Sequence, residues 1–259
     1  MSSIDPASAT SMRDLVMNPD YPARAFEAIM RVHLAKDAPQ LLESLMTATA
    51  AIGANASFYT AAIPEDGSEP SSFSLFACHP GFAQRQYRLG PLPEHPWFRY
   101  ARTHSMPGTD HQVQLQRATD AEAVELARQY GFRSCLIVPT PAGIDLTGVG
   151  MLCLGSNHEG DFDGEDARMV RALARSLAAE LHDWVTRHLS ENLQQVARLQ
   201  AMDIELLRLE RQGLGTKAIS LRTGMSKAAV DSRFQRLNTR LECANRKAAA
   251  RRAAEYGLL

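Results

Sequence analysis

Apolar residues along the chain recur at two spacings, one near that of a helical turn and one of every second residue, and the switches between them predict the elements. Helical spacing covers roughly 22–35 and 38–52, and in the second Leu41, Leu42, Leu45 and Ile52 share a face. Residues 57–63 (S-F-Y-T-A-A-I) and 73–79 (F-S-L-F-A-C-H) read as strands. The turn-rich P-E-D-G-S-E-P-S-S between them makes the pair a hairpin. The Pro-, Gly- and aromatic-rich stretch 79–100 fits no single element and suits a pocket wall or lid. Helical spacing returns over 118–130 and stops at Gly131, after which 134–140 and 148–155 form a second hairpin. From Phe162 to about Leu189 a long helix carries Val170, Leu173, Leu177, Leu181, Trp184 and Val185 at close to heptad spacing.

This order describes an α+β domain of the GAF/PAS-like kind: an antiparallel sheet with packed helices, and room for a ligand between sheet and irregular cover. The last quarter of the chain differs, being helical throughout. Within it, Thr216–Arg240 reads as two short helices joined by a tight turn. Ile219 and Leu221 supply apolar positions in the first helix, Gly224 takes the left-handed position that ends it, and Ser226 N-caps the second. Val230, Phe234, Leu237 and Leu241 then line one buried face. The opposite face carries Asp231, Ser232, Gln235 and Thr239, flanked by Lys227, Arg233, Arg236 and Arg240. A short helix with a polar, cation-rimmed face suits the major groove, where side chains reach base edges and cations meet phosphates.

Charge supports that division. Residues 199–259 hold 12 Lys/Arg against 6 Asp/Glu, whereas the rest holds 16 against 23, so a basic tail follows an acidic body. The four cysteines (Cys78, Cys135, Cys153, Cys243) form no C-x-x-C pair, which argues against a zinc site and a disulfide framework. His79, His95, His104 and His111 have no metal-ligand spacing, and D-F-D-G-E-D (161–166) reads as a helix N-terminus favoured by acids. No catalytic motif, nucleotide fingerprint or receiver-type acidic cluster occurs, so neither an enzyme nor a cofactor is expected. The absence of a signal peptide or membrane-length apolar run predicts a cytoplasmic protein.

From Leu199 onward the residues resemble the LuxR-type helix-turn-helix: E-L-L-R-L (205–209), Gly213, K-A-I-S, T-G-M-S-K-A-A-V, R-L, Asn245-Arg246 and the closing A-A-E-Y-G-L-L. The resemblance implies double-stranded DNA as partner. It also implies a DNA-binding set of Thr216, Lys217, Ser226, Lys227, Asp231, Ser232, Arg233, Gln235, Arg236 and Arg240. Asp231 and Gln235 depart from the family at groove-facing positions, and with them the DNA sequence read.

In that family the preceding domain binds a small acyl lactone. Here H-P-G-F-A-Q-R-Q-Y resembles the family's Y-P-x-x-W-x-x-x-Y, with His79 and Ala83 replacing the first tyrosine and the tryptophan and Tyr87 kept. His95 stands for the carboxylate before proline, Asp110 for a second tryptophan and Cys153 for a strand hydroxyl, while Y-G-F-R-S (130–134) matches well. With Trp97 and Phe98 these form the candidate ligand set. Each is equally readable as a core residue, and three cases stay open: a lactone held differently, another small molecule, or none. Losing the carboxylate leaves a lactone amide unpaired, at about 1–3 kcal/mol, which favours a different ligand.

The expectation is therefore a LuxR-type regulator with a disordered segment over 1–20, an autoinducer-binding-like domain over 21–190, a linker over 191–198 and a DNA-binding domain over 199–259. A homodimer is expected, with helices 162–189 and 246–257 as available apolar surfaces. The alternatives are an acyl-homoserine-lactone receptor, a ligand-independent regulator and, more distantly, a small-molecule enzyme whose tail serves association.

Overall fold

Side-chain alternation on the first strand sorts its neighbours into two layers. In the computed structural model, which describes residues 12–63, 71–140, 149–165 and 167–259, β1 spans Ala56–Ile63. Phe58 turns to one face, where it meets Phe82, Trp97 and Phe132. Ser57 and Tyr59 turn to the other, bonding Thr49 (2.6 Å) and His182 (2.9 Å). The sheet is completed by β2 (Ser71–Ala77), β3 (Gly108–Thr109), β4 (Ser134–Thr140) and β5 (Val149–Ser156), in the order β2-β1-β5-β4-β3. β3–β4 and β4–β5 are antiparallel, with Ile137 opposite Cys153. Both expected hairpin turns contain residues outside the described ones.

The preceding helices are α1 (Met12–Val16), α2 (Tyr21–Met30) and α3 (Ala38–Ile52). Asp37 caps α3 by accepting from Gln40 N–H, and Gly53 ends it at φ 95°. Residues 12–16, expected to be disordered, are helical with Met12 buried; 1–11 lie outside the described residues. The irregular stretch 79–100 is also more ordered than expected. It contains α4 (Pro80–Leu89), a 3-10 turn (Leu92–Glu94) and α5 (Pro96–Thr103). Both helices start at a His-Pro pair in which the imidazole Nδ1 accepts a backbone N–H, from Gly81 at 3.1 Å and Trp97 at 3.2 Å, with proline at the first helical position. Helix α6 (Asp120–Gln129) packs on α4 and α5.

Helix α7 spans Arg168–Val196, so it starts after the D-F-D-G-E-D acids and continues through most of the expected linker. Its heptad-like residues Val170, Leu173, Leu177, Leu181, Trp184 and Val185 are buried within the chain, which removes that stripe as a dimer seam. The remaining helices are α8 (Ala201–Arg211), α9 (Thr216–Thr223), α10 (Lys227–Arg240) and α11 (Arg246–Glu255). Ile219, Val230, Phe234, Leu237 and Leu241 form one core with Leu206, Leu207 and the α11 alanines. The apolar side of α11 is thus also used internally, while Leu221, expected inside, is exposed. Contacts divide the chain into two compact units, the first drawing on residues up to Ala61, Ser72–Pro141 and Val149–His182, and the second mainly on Asp183–Leu259. No described helix is long and apolar enough to cross a membrane.

Candidate nucleic-acid interface and ligand groove

Helices α9 and α10 meet at Gly224, whose φ of 70° places it in the left-handed region, and Ser226 Oγ accepts from Ala229 N–H at 3.2 Å to start α10. Burial of Val230, Phe234 and Leu237 leaves Lys227, Asp231, Gln235, Arg236 and Thr239 exposed along the opposite side. The cations divide by partner. Arg233 Nε donates to Asp203 Oδ1 at 2.6 Å and Arg240 Nη2 to Asp203 Oδ2 at 2.9 Å, while Gln200 N–H supplies a third bond at 3.0 Å. Asp203 is 1% exposed. Burial by itself raises its carboxyl, and the bonds from Arg233, Gln200 and Arg240 overcome this and hold it below the usual range.

Arg233 and Arg240 are therefore anchors of α10 on α8. Among the described residues Arg236 bonds only Ser232 on its own helix, at 3.3 Å, and keeps an exposed guanidinium. Lys217 is exposed on the first turn of α9, and half-buried Thr216 donates its hydroxyl to Asp231 Oδ1 at 2.9 Å. The Asp203 anchor was not readable from local pattern, because its partners lie 30 and 37 residues away.

On the other unit, α4 and α5 cover the Phe58 face of the sheet. Phe58, Phe82, Trp97 and Phe132 fill the space beneath, with centroids 5.4–6.2 Å apart. An open groove of about 720 Å³ remains at the edge, between β2 and α4. Ser72, Ser74 and Phe76 line it from alternate positions of β2, Ala83, Gln86 and Tyr87 from α4, and Leu92 from the 3-10 turn. Gln86 is 3% exposed; its Nε2 donates to Gly90 O at 3.4 Å, and Oε1 has no hydrogen-bond partner among the described residues. A buried, unpaired acceptor of this kind carries a desolvation cost.

A family model described as the GAF domain matches residues 41–181, more than half of the chain. The chain belongs to the GAF-domain family. The crystal structure of Escherichia coli SdiA superposes with a TM-score of 0.69 at 13% identity, covering 92% of this chain and 99% of that one. SdiA in complex with octanoyl-rac-glycerol gives 0.66 at 12% identity over 92% and 97%. The N-acylhomoserine lactone dependent LuxR family transcription factor CepR2 from Burkholderia cenocepacia gives 0.52 at 17% identity over 65% and 95%. At these identities the likeness is one of fold. It extends the GAF match to the arrangement of an α+β domain followed by a helical module. No curated protein matches the chain by sequence.

The GAF domain disperses the eight candidate ligand residues. Ala83 and Tyr87 line the groove, Tyr87 being largely exposed. His79 is the exposed cap of α4. His95 is buried as the cap of α5, and its Nε2 has no hydrogen-bond partner among the described residues. Burial, reinforced by the nearby Arg99 charge, lowers the His95 pKa to about 4, so the ring is neutral and its acceptor nitrogen already engaged. Trp97 and Phe98 are fully packed, and the Trp97 indole N–H has no partner among the described residues. Asp110 Oδ1 accepts from Cys135 N–H at 3.0 Å. Cys153 is wholly buried; beside it, burial followed by Cys153 itself and Asp110 raises the Cys135 thiol well above its ordinary range. Gln86, Ser72, Ser74 and Phe76 were missed in the sequence, although period-two alternation on β2 and helical spacing from Ala83 mark them.

Proposed function

We propose that the protein is a DNA-binding transcription regulator of the LuxR type, its α10 entering the major groove as the reading helix. The observation that carries this reading is the division of cations on α10: two are fixed to buried Asp203, while Arg236 and Lys227 remain on an exposed polar face beside Gln235. Such a face offers phosphates a cation and bases a bidentate amide. Paired half-sites would supply the affinity that one short helix lacks, so the active form is a homodimer in the cytoplasm, acting without catalysis. Titration of labelled duplexes tests the reading. Wild-type protein is expected to bind with strong salt dependence and to select a motif from a random pool, and absence of any duplex binding would sink it.

The GAF domain in this reading senses a small molecule other than a standard acyl-homoserine lactone. The ring-filled interior and the His95 cap remove the usual volume and acceptor, and the β2–α4 groove, with the Ser72 and Ser74 hydroxyls in its lining, supplies the replacement. That groove favours an amphiphile with an amide or hydroxyl donor. Native mass spectrometry of protein from its own host, beside a melting screen with acyl lactones, tests it; a clear lactone shift would overturn the ligand assignment.

A further inference from the structure

Four side chains from four helices form a continuous polar chain around the start of α9. Buried Glu210 Oε2 lies 3.0 Å from Arg246 Nε. Arg246 Nη1 donates to Thr216 Oγ1 at 3.0 Å, and the same hydroxyl donates to Asp231 Oδ1 at 2.9 Å. Arg246 is further held with its guanidinium carbon 5.7 Å over the Phe234 ring. The chemistry is directional: the hydroxyl accepts from the cation and gives its single proton to the carboxylate. Glu210 offsets the Arg246 charge, so the exposed end of the chain is the Asp231 anion.

We propose that Asp231 is an internal stand-in for a backbone phosphate, occupying the Thr216 hydroxyl in the free protein and thereby suppressing binding to non-cognate DNA. The inference rests on the DNA-binding reading. A carboxylate and a phosphate present the same acceptor oxygens and compete for one donor. A cognate duplex displaces Asp231 because its other contacts are all made, whereas a random duplex meets an anion where it needs a donor. Asp231 is in this view a specificity residue acting through Thr216, and its part in base reading is secondary.

Full-length wild type, Asp231→Ala, Asp231→Asn, Thr216→Val and the Asp231→Ala/Thr216→Val pair would be compared on a random-sequence duplex by anisotropy over a salt series. Asp231→Ala should tighten binding about tenfold, the freed Thr216 hydroxyl donating to a phosphate. Asp231→Asn, which keeps an acceptor on the hydroxyl, should gain less, and the double variant should lose most of the gain in affinity. Equal gains in all three Asp231 variants would reduce the effect to net charge and overturn the stand-in, as would no gain. Failure of wild type and every variant to bind any duplex would instead overturn the regulator reading. Melting curves establish that each variant is folded, and Asp231→Ser replaces Asp231→Ala should the latter melt early.

Discussion

Arg233 Nε donates to Asp203 Oδ1 at 2.6 Å, and the carboxylate is buried beneath the guanidinium. Two arginines three residues apart on one helix thus do different jobs. Arg236→Ala should leave stability within about 0.5 kcal/mol and lower both duplex affinity and the magnitude of the salt slope, the latter by about 0.9. Arg233→Ala should cost about 3 kcal/mol of stability, because the buried carboxylate keeps only Arg240 and one N–H. Urea titration beside anisotropy separates the two; equal effects on folding would refute the division.

The buried caps give a pH signature. His95 is neutral in the fold with a pKa near 4 against an unfolded value of 6.5, so the unfolded chain binds the extra proton between those limits. Stability should therefore fall as pH drops from 6.5 toward 4, by roughly 3 kcal/mol for this group, and be unaffected by it above that window. His95→Asn keeps an N-cap acceptor and should flatten this part of the curve. Asp203 and Asp120, both held below the ordinary carboxylate range after burial is overcome, lose their contribution only at lower pH. Thermal melts across pH 4–7 check the separation.

Glycine at position 155 is required by the cover rather than by the strand. A Cβ there would lie 2.4 Å from Phe132 Cδ1 and 2.5 Å from the Gly131 carbonyl oxygen, and the latter cannot swing aside. Gly155→Ala should cost about 2–3 kcal/mol by denaturant unfolding, with loss of the GAF-domain packing signal in near-ultraviolet circular dichroism.

The groove makes its own prediction. A ligand supplied at about 100 times its Kd should stabilise the protein by about 2.7 kcal/mol, a shift of a few degrees in Tm. Ala83→Trp places an indole against the groove wall and should abolish that shift while leaving the unliganded Tm within a few degrees. A retained shift would move the ligand elsewhere.

Much of this architecture was legible because it is locally encoded. Period-two runs became β1, β2, β4 and β5 with ends moved by a residue or two, and Gly224 with Ser226 located the α9–α10 turn. The stretch 79–100 was misjudged because its helices are short and polar outside; the His-Pro starts at 79 and 95 were the available signal. The candidate ligand set is dispersed, with only Ala83 and Tyr87 of it lining the groove. Its positions came from a pattern whose polar groups had been replaced, and His95 and Asp110 are now consumed by backbone N–H groups. Nothing local predicts Arg246 reaching Thr216, since that contact depends on how α11 returns across α8 and α10.

The two tryptophans fall in different units, Trp97 in the first and Trp184 in the second. Trp97 sits among Phe58, Phe132 and the neutral His95 ring, whereas Trp184 stacks on His188 at 4.6 Å. Intrinsic fluorescence therefore carries two separable signals. Trp184→Phe leaves an emitter inside the sensing domain, and Trp97→Phe leaves one on the long helix. With one emitter in each variant, titration of a duplex or a small molecule can be followed from either end of the chain without attaching a dye.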